Sequence, residues 1–299
     1  MRFLAFHPGQ APGSGPGQAF CLTRSRLPDP VGFATDRAAM LSYQHGYHAG
    51  NMADVHKHSL LCWMLDYMVR KDKPLSYIET HAGRGLYDLA APEALKTGEA
   101  AQGLGLAERA GWFAPDHPYA RRLSDLRALH GATAYAGSPL LAALSLRATD
   151  TLHLAELHPQ EFTALRAAML RYPALCYHQD GLDLALALTP PSPRRGLLLI
   201  DPSYEVKSDY EALPRLIASV HRKWNVGTIM LWYPVLPTAP HTAMLAALVR
   251  AHPEALRHEL HFPPARPGHG MVGSGLFILN PPFGLEAEAE QLTATLAAG

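Results

Sequence analysis

The chain has 299 residues, 48% of them apolar, which is enough for a large core and argues against global disorder. Its 26 basic and 26 acidic residues cancel, so net charge neither points to nor excludes a nucleic-acid partner. The three cysteines (Cys21, Cys62, Cys176) include no C-x-x-C pair, no run of 18 apolar residues exists, and the N-terminus lacks an apolar signal core. Together these argue against a disulfide framework, a cysteine zinc site, a membrane span and secretion, and fit the cytoplasm with no stable protein partner implied.

Residues 1–39, with the Pro/Gly run at 8–17, read as a disordered extension. Translation is expected to begin at Met40; a native peptide from residues 1–39 would contradict this. From residue 52 the pattern turns helical: Val55, His58, Cys62, Leu65 and Val69 recur at spacings of three and four, forming one apolar face. Asn51 or Asp54 caps its start and Pro74 marks its exit. On this spacing His58 faces inward and Lys57 points elsewhere.

Short apolar runs follow at Leu75–Thr80, Thr151–Leu157, Ala174–His178, Leu197–Ile200, Thr228–Trp232 and Leu276–Leu279. Most precede a helix-like stretch, which predicts an α/β fold with a parallel, doubly wound sheet. Between Tyr87 and Gly137 the rhythm breaks for longer than a simple crossover needs. A helical subdomain inserted at about 88–136 is expected.

Four strand ends carry chemistry. Glu79-Thr80-His81-Ala82-Gly83-Arg84-Gly85 ends the first run; its two glycines allow a tight turn and close approach of a ligand, although an ordinary turn would look the same. A dinucleotide fingerprint would want glycine where Asp88 stands. Glu156 ends the second run, where a carboxylate can accept both ribose hydroxyls of an adenosine cofactor, or simply face solvent. Asp180-Gly181 follows the third run and suits either an adenine amino group or a plain turn.

The fourth end, Leu197–Ile200 followed by Asp201-Pro202-Ser203-Tyr204, is the most informative. The acid and the adjoining carbonyl can accept both N–H bonds of an exocyclic amine, and the Tyr204 ring can stack on a base. The segment resembles the D-P-P-Y signature of amino-methyltransferases, with Ser203 for the second proline. Asn280-Pro281-Pro282-Phe283 matches that signature more literally, but only residues 284–299 follow it. A sheet in the usual order has no room there, so Asp201 is preferred.

The last cluster is Tyr43 to His58, with His45, His48, His56 and His58. No acidic or cysteine partner completes a metal set, and no metal is expected. Read whole, this segment resembles the N-terminal signature of the RlmJ family, ribosomal RNA adenine-N6 methyltransferases. The resemblance continues in order through Thr80-His81-Ala82-Gly83, Gly137-Ser138-Pro139-Leu140, Glu156-Leu157-His158-Pro159, Asp180-Gly181, Arg194-Arg195-Gly196, Asp201-Pro202 with Tyr204, and Leu231-Trp232-Tyr233-Pro234.

That resemblance implies a Rossmann-like class I S-adenosylmethionine-dependent methyltransferase domain over residues 40–299, carrying the inserted helices. It implies methylation of the N6 amine of an adenine in 23S ribosomal RNA, protein-free or in an early assembly state. His58, His81, Gly83, Ser138, Glu156, Asp180, Gly181 and Asp201 would line the S-adenosylmethionine pocket. Asp201, Pro202 and Tyr204 would be catalytic, and Tyr43, His45 and Lys57 would contact the RNA. A DNA adenine-N6 methyltransferase, or a catalytically inactive RNA-binding or ribosome-assembly factor, are the other readings.

Overall fold

The computed structural model describes residues 44–264 and 270–298. Tyr43, the extension expected over 1–39 and the start expected at Met40 lie outside these residues.

Helix α1 (Met52–Val69) opens where Asn51 Oδ1 accepts the amide of Asp54 at 2.9 Å, satisfying one of the first-turn donors. The spacing predicts a single buried face, but Leu60, Leu61, Cys62, Met64 and Leu65 are all buried. The difference has a tertiary cause. α1 is flanked by α5 (Pro118–His130), α6 (Ser138–Ser145), α11 (Leu285–Ala298) and strand β9 (Gly273–Leu279). Lys57, expected to point away from the interior, is itself only 5% exposed.

The main sheet has seven strands. β1 (Ser76–Glu79), β4 (Thr151–Ala155), β5 (Ala174–Tyr177), β6 (Gly196–Ile200) and β7 (Thr228–Val235) are parallel. β8 (Leu256–His261) completes the order β5-β4-β1-β6-β7-β9-β8, with β9 antiparallel to both its neighbours. The chain steps outward from β1 to β4 and β5, then returns to β1's other side for β6. Strand order therefore reverses between β1 and β6, which opens a crevice at their carboxyl ends.

Both faces of this sheet are covered. Along β6, Leu197 and Leu199 join the core shared with α1, whereas Leu198 and Ile200 join a second core with Ile217, Val220 and Trp224. The last three lie on or just after α9 (Asp209–Lys223). Alternate side chains leave opposite faces of a strand, so a strand buried twice reads as an unbroken apolar run.

Three strands have no such run. β8, Leu256 to His261, is an edge strand with a polar, half-exposed pattern. β2 (Leu86–Asp88) and β3 (Ala134–Ala136) form a separate antiparallel pair. Between them lie α2 (Pro92–Thr97), α3 (Glu99–Gln102), α4 (Leu104–Arg109) and α5. The sheet is parallel except at β9: only the residues 262–272 join it to β8, fewer than a parallel crossover requires.

Gly196 faces Ser76 across the β1–β6 pairing, and a Cβ there would stand 2.0 Å from the Ser76 carbonyl oxygen. Gly196→Ala should therefore destabilise the fold by roughly 1–3 kcal/mol or more, lowering the thermal midpoint by several degrees. An unchanged melting curve would contradict this contact.

Candidate active site

A cavity of about 380 Å³ opens at the carboxyl ends of β1, β4, β5 and β6. The glycine turn after β1 forms its floor. Gly83 and Gly85 adopt φ of 59° and 76°, conformations that disfavour any side chain. The Gly83 amide donates to Glu156 Oε2 at 2.8 Å, and the His158 amide donates to Oε1 at 2.7 Å. Two main-chain donors thus orient the Glu156 carboxylate across the end of β4, while burial raises its affinity for a proton.

Helix α8 (Gly181–Leu188) begins against β1: a Cβ on Gly181 would fall 1.8 Å from the Thr80 carbonyl oxygen. Only glycine permits this approach, which brings Asp180 to the cavity wall. Asp180 Oδ1 caps the helix by accepting the amides of Leu182 and Asp183. His81, whose Nδ1 lies 2.7 Å from Thr80 Oγ1, also lines the cavity, and burial lowers its basicity.

The opposite wall comes from α1 and the turn before it. Lys57 Nζ donates to Asp201 Oδ2 at 2.5 Å and lies 3.3 Å from Asp54 Oδ1. Burial alone would weaken the ammonium's hold on its proton, yet Asp201 and Asp54 keep it above the ordinary lysine value. His45 Nε2 lies 2.9 Å from Asp54 Oδ2, and the Gly50 amide donates to the same oxygen at 2.9 Å. His58 shares Nδ1 with the Tyr135 hydroxyl at 2.8 Å, and its buried Nε2 has no hydrogen-bond partner. Burial drives the His58 pKa down to about 3, so the ring is neutral at physiological pH.

Ser138 opens α6 and donates to Glu79 Oε1 at 2.5 Å, while the Tyr77 hydroxyl donates to Oε2 at 2.9 Å. Glu79 is fully buried at the end of β1, and burial pushes its carboxyl up to about 8 despite those two donors.

Asp201, Pro202 and Tyr204 follow β6 and line the cavity. Tyr204 holds φ at 57°, a left-handed conformation uncommon for an aromatic residue and costly unless its surroundings enforce it. Two contacts do so: its hydroxyl donates to the Trp232 carbonyl at 2.7 Å, and its ring lies 4.7 Å from that of Tyr210. The competing Asn280 segment is elsewhere. Its carbonyl accepts the Thr228 hydroxyl at the start of β7, the opposite end of the sheet, and Asn280 Nδ2 donates to Asn225 and Gly227 carbonyls.

The residues expected to bind the cofactor, act on the amine or contact RNA, where they are among the described residues, line this one cavity, whereas His56 and Gly85 do not; Tyr43 lies outside the described residues. The four clustered histidines reach four different partners: Asp54, Glu99, Ser274 with His258, and Tyr135. Three important groups were not legible as site residues. Asp54 reads as a helix-start acid, Glu79 as the last residue of a strand, and Trp232 as strand core. Trp232 in fact lines the cavity, with Lys57 Nζ 5.7 Å from its ring centre. The only sequence signal for Asp54 was its spacing of three and four from Lys57 and His58.

A seven-stranded sheet in this order, its last strand in sequence inserted antiparallel and its cavity at the reversal point between acid-tipped strands, defines the class I S-adenosylmethionine-dependent methyltransferase fold. A family model described as "Ribosomal RNA large subunit methyltransferase D, RlmJ" matches residues 72–298, and the chain belongs to this family. It is 38% identical over 256 residues to "Ribosomal RNA large subunit methyltransferase J" of Escherichia coli K12, covering 83% of this chain and 90% of that protein. It is 37% identical over 261 residues to the Haemophilus influenzae protein of the same name, covering 85% and 92%. The crystal structure of a Legionella pneumophila protein, 36% identical, superposes with a TM-score of 0.76 over 84% of this chain and 93% of that one.

Glu79 generates a pH test. Between its unfolded value of 4.5 and its folded value of about 8, the unfolded chain carries the charge and the folded chain carries the proton. Folding then takes up a proton, so stability falls as pH rises through this window and levels off above it. Glu79→Gln removes that dependence. The thermal midpoint of the variant, relative to wild type, should rise between about pH 5 and pH 8; parallel curves for the two proteins would contradict a protonated Glu79.

Proposed function

We propose that this protein transfers a methyl group from S-adenosylmethionine to the N6 amine of a specific adenine in 23S ribosomal RNA. The observation that carries this reading is Asp201. It ends β6 at the reversal point, is gripped by a buried lysine, and shares one cavity with the Gly83 turn and Glu156. The names of the Escherichia coli and Haemophilus influenzae relatives support ribosomal RNA as the substrate.

The cavity's residues fit the cofactor. Glu156 presents an aligned carboxylate for ribose hydroxyls, and Asp180 stands where an adenine edge would be received. Asp201 and Asp180 supply negative charge beside a cationic group, and His58 Nε2, 3.7 Å from Asp54 Oδ1, is a buried polar atom that makes no hydrogen bond. His81, Gly83, Ser138 and Gly181 complete the cradle. When bound, S-adenosylmethionine supplies an already activated methyl group on a sulfonium.

The chain's own residues then orient and polarise. The Asp201 carboxylate and the Pro202 carbonyl accept the two N–H bonds of the target amine, freeing its lone pair and stabilising the positive charge that develops on nitrogen. Tyr204 stacks on the base, and Tyr43, His45 and Lys57 contact it. Reaching this cavity requires the adenine to leave its stack, which favours protein-free or early-assembly RNA with a loosely paired target. We take residues 88–136 as a helical subdomain inserted into a methyltransferase domain of residues 40–299.

Asp201→Ala should abolish methyl transfer to protein-free 23S RNA while keeping a wild-type circular dichroism spectrum, with a lowered melting midpoint because the buried Lys57 loses its partner. Wild-type turnover by that variant would sink the assignment. Glu156→Ala should weaken S-adenosylmethionine binding in calorimetry by about tenfold or more, as expected for loss of a charged hydrogen-bond acceptor.

A further inference from the structure

We infer that Asp54 is a positioning residue for this reaction, holding Lys57 against Asp201 with one carboxylate oxygen and holding His45 with the other. The inference rests on the methyltransferase reading above and goes beyond it. It assigns a task to a cavity-lining side chain that the reading above leaves without one.

Capping accounts for only one of the Asp54 contacts, the Gly50 amide at Oδ2. Asn51 is the N-cap, accepting the Asp54 amide. The Asp54 side chain turns inward and is 1% exposed. Oδ2 receives His45 Nε2 and the Gly50 amide, both at 2.9 Å, and Oδ1 faces Lys57 Nζ at 3.3 Å and His58 Nε2 at 3.7 Å. A lone buried carboxylate would lose its hydration without recompense, so His45, the Gly50 amide and Lys57, the three nearest groups, define its orientation closely.

Two consequences follow for the reacting end. Lys57 is a long, flexible chain, and a single partner at Asp201 would fix only its tip. A second carboxylate on the other side confines the ammonium between the two acids, so that it engages Asp201 Oδ2 and leaves Oδ1 as the oxygen that receives the amine. His45, 20% exposed at its side chain, is held at the rim by the same group. Asp54 therefore couples two substrate-side residues that come from different elements.

The ionisable groups surrounding this unit come from every neighbouring element. His45 lies in the preceding turn, Lys57 and His58 on α1, Glu79 on β1, Tyr119 on α5, Tyr135 on β3, and Asp201 after β6. Burial works against the Asp54 charge, but His45 and Lys57 beside it hold its carboxyl well below the usual carboxylate range. Asp54 is in turn one of the groups that keep Lys57 protonated.

The test compares wild type, Asp54→Asn and Asp54→Glu for tritium transfer from labelled S-adenosylmethionine to protein-free 23S RNA between about pH 6 and pH 10. Asp54→Asn should lower kcat on the order of 10²-fold while cofactor affinity in calorimetry stays within about twofold of wild type. Wild type should show no alkaline limb over this range, and Asp54→Asn should acquire one, because a buried lysine has lost one of its two carboxylates. Asp54→Glu, slower than wild type, should keep the wild-type profile. An Asp54→Asn profile with the shape of wild type, or an Asp54→Glu profile with the same new limb, overturns the inference. An inactive wild type would instead overturn the methyltransferase reading. Should Asp54→Asn fail to fold, Asp54→Glu decides: its kcat should fall while cofactor affinity in calorimetry stays within about twofold of wild type, and a wild-type kcat overturns the inference.

Discussion

A lysine buried between two carboxylates organises this molecule. Lys57 lies 2.5 Å from Asp201 and 3.3 Å from Asp54, and none of the three is well exposed. Removing charges from water is costly, and a buried ion pair persists only when its geometry is good and its remaining valences are met. Here they are met from three directions: a helix start, the end of the strand at the sheet's reversal point, and a turn whose Gly50 amide points at Asp54. Any displacement of α1 from the sheet would strand one of these charges.

This requirement accounts for the way α1 is enclosed. Its first turns must meet the carboxyl ends of the strands, so residues 53–62 are buried around the whole helix, and partial exposure returns at Trp63, Asp66, Tyr67 and Val69. The turn ahead of it needs its own support, which comes from the helices that follow β2. Glu99 takes His48 Nδ1 at 3.0 Å and Asn51 Nδ2 at 3.2 Å, and Thr97 donates to the Tyr47 carbonyl at 2.5 Å. The Leu104 amide donates to the Gly50 carbonyl at 2.8 Å. Gly103 approaches so closely that a Cβ would lie 2.4 Å from Asn51 backbone carbon. The helices between β2 and β3 thus brace the wall that holds His45 and Asp54.

The strand ends were legible because parallel strands buried on both faces must be apolar throughout, so a terminal acid stands out: Glu156 after Ala155, Asp201 after Ile200. The choice between Asp201 and Asn280 was also available from chain order, since too little chain follows Asn280 for the remaining sheet; that β9 runs antiparallel and delivers its end to the far side was not. Other features were not. β8 is half polar because it lies at an edge, and β2 and β3 are three residues each, too short for a periodic signal. Lys57 gave the wrong impression because helical spacing marks charged residues as outward-facing, and only a buried counter-charge reverses that reading.

From its residues alone, this chain declares the α/β class, the acid-tipped strands, the glycine turn and membership of an ordered set of motifs, because each depends on local geometry or on burial that repeats along one segment. Tertiary structure alone decided which acids face one another, which histidines find which partners, and that Asp54 supports the site as well as a helix end. Those pairings join residues as far apart as 57 and 201. Nothing in the local chain encodes a contact whose energy exists only after two separate elements have excluded water between them.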